Sequence, residues 1–167
     1  MIDHWTMFVA YNDWANQKIY EVAAVLNEEE LHRDTGAFFQ SLFGTLTHIV
    51  VADHVWLQRM TGEGPTHQRL DERPCADLAA LADERRATDA RIVAYCATLT
   101  PERLADDIEY RPMTTPDLVR HNLGKALAHM FNHQTHHRGQ AHMILTVLGK
   151  PSLSLDLAPF QRLQKPA

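Results

Sequence analysis

The chain has 167 residues, 45% of them apolar and 22% charged, which suits a single folded domain with its own core. A net charge of −5 without any basic run argues against binding the nucleic-acid backbone, which takes clustered Lys and Arg. No apolar run is long enough to span a bilayer, and the opening "MIDHWTMFVAYNDWANQ" lacks a signal-peptide h-region, so no membrane partner and a cytoplasmic location are expected.

Phe8, Ala15, Ile19, Val22 and Leu26 recur at helical spacing and predict a first helix from about Asp3 to Leu26. Asn27 ahead of "EEE" reads as an N-cap with an acidic first turn, opening a short helix. A second long helix is expected from about Ser41 to Met60, with Leu42, Leu46, Ile49, Val50, Trp56, Leu57 and Met60 on its apolar face and Gly62 and Gly64 ending it. A third runs from about Ala76 to Leu99, with Leu78, Leu81, Ile92 and Tyr95 inward. Its polar middle predicts exposure, and "ERR" at Glu84 to Arg86 reads as a solvated face. Cys75 and Cys96 stand about 30 Å apart at ~1.5 Å per helical residue, too far for a disulfide, and are expected to be reduced.

Thr100-Pro101 starts another short helix, and the alternation of Ile108 and Tyr110 with polar residues allows a short extended piece. The fourth long helix is predicted from about Pro116 to Leu148, stopped by Gly149 and Pro151, and the tail "SLSLDLAPFQRL" is apolar enough to fold back on the body. Four long helices without convincing strands predict an all-α protein, a four-helix bundle. Trp5, Trp14 and Trp56 read as core aromatics of that bundle.

The chemistry concentrates in "HMFNHQTHHRGQAH", which carries His129, His133, His136, His137 and His142. His129, His133 and His137 lie four apart, on one helix face, a turn from one another. The ladder rises about 12 Å from first to third rung, whereas a metal needs each nitrogen within ~2.1 Å. One ion therefore takes two adjacent rungs, and the remaining ligands must come from another helix. His136 and His142 point to other surfaces.

The second helix offers His48 at the edge of its apolar stripe, Asp53 near the middle, and His54 off the stripe and expected exposed. A buried Asp53 needs a polar cavity or a cation such as Arg138, because stranding a charge is costly. Asn12 and Asn16 add a polar patch on the first helix, so the bundle is expected to be partly polar at one end. His4, His32, His67 and His121 read as ordinary solvated or hydrogen-bonded residues.

"YNDWANQKIY", "LFGTLTHIVVADHVWL", "FNHQTHHRGQAHMILTVLGKP" and "SLDLAPFQR", in that order, resemble the DinB family of DinB/YfiT-like metalloenzymes over nearly the whole chain. The resemblance implies an up-down-down-up four-helix bundle, commonly a homodimer, holding one divalent metal ion, zinc or nickel, through three histidines. Matched by motif, the implied metal ligands are His48, His133 and His137, with His129 demoted to a neighbour. Arg138, Gly139 and Gln140 match as well, and a salt bridge from Arg138 to Asp53 inside the bundle is expected. His129 and Asp53 are the candidates for a catalytic role beside the metal, with His136 behind them.

Three neutral imidazoles leave such an ion an open position for water or a substrate anion, as in catalytic sites. Relatives that transfer or isomerise with low-molecular-weight thiols such as bacillithiol or mycothiol make a thiol-dependent S-transferase acting on a small-molecule electrophile the first functional expectation. A metal-dependent hydrolase is the second, and a non-catalytic, stress-related metal-binding module the third.

Overall fold

Short polar side chains punctuate the helices. The computed structural model describes residues 2–113 and 115–164. Helix α1 spans Ile2–Ala23, and a full capping box on Asn27 opens α2 (Glu28–His32). Ser41 caps α3 (Leu42–Thr61), which Gly62 closes at φ 78°, and Asp77 caps α4 (Leu78–Ala97). Thr100 caps α5 (Pro101–Ala105); strands β1 (Asp107–Tyr110) and β2 (Val119–Asn122) follow, then α6 (Leu123–Val147) and α7 (Leu157–Leu163).

The extended piece at Ile108 and Tyr110 is present, but it has a partner that the sequence reading placed in a helix. Strands β1 and β2 pair antiparallel, Ile108 opposite His121, so α6 begins at Leu123 rather than near Pro116. Asn122 explains the shift: it closes the strand pair and its side chain accepts from the Lys125 backbone N–H, making it the helix cap. The tail does fold back, with Phe160 buried beside Tyr11 and Trp14. Cys75 and Cys96 are free.

Contacts between named residues fix the helix directions. Val9 shares a cluster with Ile92, and Ile19 with Leu81, so α4 runs against α1. His48 meets His137 while Trp56 meets His129, so α6 runs against α3. Asn16 reaches Arg138 and Phe8 stacks on Phe131, which makes α1 and α6 parallel. The result is an up-down-down-up bundle. Because α3 and α4 point the same way, residues 62–77 must travel back along the bundle to connect them.

The core comprises two large apolar clusters, one around Leu57, Ile92 and Leu127, the other around Leu46, Leu81 and Leu145. Between them lies a polar layer, in mid-bundle rather than at one end as the sequence suggested. Asp53 accepts from Arg85 Nη1 at 2.7 Å and from the Gln134 amide. Gln134 Oε1 accepts from Arg138 Nη1 at 3.0 Å, and Arg138 also donates to the side-chain oxygens of Asn12 and Asn16. Asn16 Nδ2 donates to Asp89 at 3.1 Å, and Arg85 Nε donates to Asp89 at 2.9 Å, closing a ring through α1, α3, α4 and α6.

Two expectations fail here for one reason. The cation opposite Asp53 is Arg85, not Arg138, and within "ERR" Arg85 is buried at 3% exposure, as is Asp89 a turn on at 5%, while Arg86 keeps to solvent as expected. Hydrophobic patterning takes charge as a sign of solvent, whereas these charges satisfy one another inside. Burial works against charging Arg85, but Asp89 and Asp53 outweigh it and hold the guanidinium protonated. Replacing Arg85 by Ala would strand both carboxylates and is expected to remove ~3–5 kcal/mol of stability. Urea unfolding checks this, and a midpoint equal to wild type would contradict the buried ring.

Candidate metal centre

Gln134 and Arg138 belong to the polar ring, and each follows a histidine by one residue. Anchoring them sets the rotation of α6, so that His133 and His137, a turn apart, face α3. There they meet His48. The Nε2 atoms are 3.3 Å (His48–His133), 3.2 Å (His48–His137) and 3.1 Å (His133–His137) apart. His48 and His137 are buried and His133 half-buried, so the trio sits at the edge of the groove between α3 and α6.

The outer nitrogens decide what faces the centre. His48 Nδ1 lies 2.9 Å from the Leu70 carbonyl and His137 Nδ1 2.7 Å from Gln140 Oε1. Both oxygens only accept, so both Nδ1 atoms carry the proton. Each neutral ring then presents an Nε2 lone pair to the other, with no donor between them. Burial, reinforced by the other imidazoles, pushes His133 down to about 3; burial pushes His137 down to about 4 and lowers His48. The trio is therefore uncharged at neutral pH. Converging lone pairs are what a cation requires: nitrogens ~2.05 Å from one ion at about 109° lie ~3.3 Å apart. The three distances fit, and the set can hold a metal ion.

Chain segments outside the long helices hold His48. The return segment brings the Leu70 carbonyl to it, and Phe39 stacks on its ring with centroids 3.8 Å apart and planes 17° off parallel. Gly44 permits that approach, because a Cβ there would stand 2.2 Å from the Phe39 carbonyl oxygen. The return segment is itself pinned: Glu72 accepts from His67 Nδ1 at 2.7 Å, and His67 Nε2 lies 3.0 Å from His54 Nδ1. His54 Nε2 in turn is 2.8 Å from Thr88 Oγ1. His54 is thus 2% exposed, against the expectation of a surface residue; the return segment covers the part of α3 that hydrophobic patterning left open.

The other histidines separate. His129 is exposed, its ring 5.8 Å from that of His133 and 4.8 Å from that of Trp56. Burial, with the charges of His121 and Arg59, lowers its affinity for a proton. His136 is exposed and meets Gln140, while His142 accepts from the Leu153 backbone N–H and ties down the tail. Asp53 is spent on Arg85 and Gln134. Leu70 and Phe39 escaped the sequence reading: a backbone carbonyl leaves no side-chain signal, and Phe39 lies outside every predicted helix. Gln140 was findable, standing at i+3 from His137 in the matched "HRGQ".

This architecture defines a class, helical bundles with a three-histidine cluster between two antiparallel helices. The DinB family model matches residues 1–167, and the chain belongs to the DinB family. Protein DinB of Bacillus subtilis (strain 168) is 24% identical over 152 residues, covering 87% of each chain. A crystal structure of a DinB-like protein from Bacillus cereus ATCC 10987 superposes with a TM-score of 0.66 at 21% identity, over 88% of this chain and 94% of that one, and supports the fold.

The lowered imidazole values carry a sign. Folded values below the ordinary ~6.5 mean that the unfolded chain binds protons first. Their stabilising contribution is present above about pH 6.5 and lost towards pH 3–4. Asp53 and Asp89, pushed up by burial, act in the opposite sense, so a variant comparison isolates the imidazoles. Between pH 7 and 4 the metal-free wild type is expected to lose more melting temperature than His133→Phe. A wild-type slope no steeper than the variant's would count against buried neutral rings. Nitrogen-15 NMR at pH 7.5 should show His48 and His137 in the Nδ1–H form.

Proposed function

We propose that His48, His133 and His137 hold one divalent ion, zinc or nickel, with a position left open, and that the protein is a metal-dependent enzyme using it for thiol chemistry on small electrophiles. The observation that carries the reading is the pair of inward lone pairs on His48 and His137, 3.2 Å apart with both outer nitrogens committed as donors. When bound, the ion supplies a Lewis acid that stabilises a thiolate at neutral pH. The chain's own part is to hold three neutral ligands, so the centre keeps the full cationic charge and favours an anionic guest. His133 is the half-buried member and marks the solvent side.

The hydrolase reading gains less support. It needs a general base within reach of the attacking water. Asp53 is held by Arg85 and Gln134, and His136 by Gln140. His129 remains, and we assign it to the rim of the centre. A homodimer, the usual family assembly, belongs to the same proposal and is checked by sedimentation.

Protein purified without a histidine tag or nickel column is expected to carry close to one divalent ion per chain, lost in His133→Ala. Excess zinc should raise the melting temperature of the stripped wild type but not of that variant. Cobalt substitution reports the thiol step: a low-molecular-weight thiol is expected to shift the visible bands, and turnover of a model electrophile to need both thiol and metal. An ion-free protein would sink the metal reading. Bands indifferent to thiol would leave the metal and sink the transferase.

A further inference from the structure

Of the arginines buried along the bundle, Arg85 and Arg138 are held in the polar ring. Arg59, near the end of α3, is half-buried yet differs from both. Its guanidinium carbon lies 4.7 Å from the Trp56 ring centroid and 4.2 Å from that of Tyr110, and those two rings meet edge to face at 5.5 Å. Among the described residues no carboxylate pairs with it; burial lowers its proton affinity, Tyr110 raises it, and His129 is a further ionisable group within reach of its charge.

A cation taken half out of water without a counter-ion is costly in a chain that carries a net charge of −5. The aromatic contacts offset part of that cost and fix the group's position, while the in-plane N–H donors stay free. Arg59 lines a cavity of about 530 Å³ between the end of α3, the start of the return segment and strand β1. Gln58, Thr66 and Gln68 add polar groups to its wall. Arg111 also lines it but donates to the Pro116 carbonyl, and Glu109 lines it without an ion pair to Arg59.

We propose that Arg59 is the anchor of a subsite for a carboxylate-bearing small molecule. The fork of the guanidinium matches a carboxylate in two parallel hydrogen bonds, which a water-filled cavity does not replace. Packed side chains, rather than the cavity itself, link Arg59 to the metal centre. Trp56 touches Arg59 on one side and His129 on the other, and His129 neighbours His133. The cavity is walled by α3, the return segment and the end of β1, so the subsite stands on its own geometry whether or not an ion is bound to the histidines. Arg59 touches the ligand, not the reacting atoms, and sets specificity.

The test is titration of metal-free protein with succinate and with acetate, at ionic strength matched by sodium chloride, following the Trp56 indole N–H by NMR. Saturable shifts are expected in the millimolar range, weakened on the order of tenfold in Arg59→Gln and less in Arg59→Lys. No saturable shift in wild type, an equal response to chloride, or an Arg59→Gln variant that responds like wild type would each overturn the subsite. The wild-type titration needs no variant, and circular dichroism confirms that the variants fold. Because metal content is measured separately, a metal-free chain that still binds succinate through Arg59 would sink the metal reading alone.

Discussion

The closed ring of buried hydrogen bonds across the four long helices is the constraint on which the rest depends. It joins two carboxylates, two guanidiniums and three amides in a layer between two apolar clusters. Apolar contacts tolerate a helix rotated by some degrees, because one methyl packs much like another. A buried charge does not, since losing its partner costs the full desolvation penalty. The ring is therefore a register device: it permits few relative rotations of α1, α3, α4 and α6.

That register matters because the centre is made by helices that sequence separates widely. His133 and His137 follow Gln134 and Arg138 backwards by one residue, so fixing the ring residues fixes the histidines. On α3, Asp53 is likewise a ring member, and His48 lies between one and two turns before it. The ring thus sets the facing of both helices, while the return segment sets the last degree of freedom, the rotation of the His48 ring about its own side chain. Leu70 fixes the tautomer and Phe39 the plane. A ligand held from behind in this way needs little reorganisation to meet an ion.

Much of this was legible in the sequence, and the failures share a cause. Caps at Asn27, Ser41, Thr100 and Gly62 marked helix ends because each solves a local hydrogen-bonding problem. The spacing of His133 and His137 gave a ladder but could not choose its rungs; the resemblance chose them, with His48, and the fold brings those three together. What stayed hidden was everything settled by long-range partnership between polar groups. Arg85 and Asp89 looked solvated, His54 looked exposed, and Val119 to Asn122 looked helical until β1 was there to pair with them. A rule that reads polarity as solvent contact fails wherever polar groups satisfy one another, which here is the middle of the bundle.

Counter-charge distinguishes the structural cations from the others. Asp53 and Asp89 sit between Arg85 and Arg138, so the ring is electrically balanced and has no call on a ligand. Among the described residues the three converging histidines have no carboxylate in their set, and Arg59 makes no ion pair. In a chain with more acidic than basic residues, a set of three imidazoles would leave the charge of a divalent ion uncancelled by its own ligands. A carboxylate ligand in place of a histidine would bind a divalent ion as well, but it would cancel part of the charge that draws an anion in.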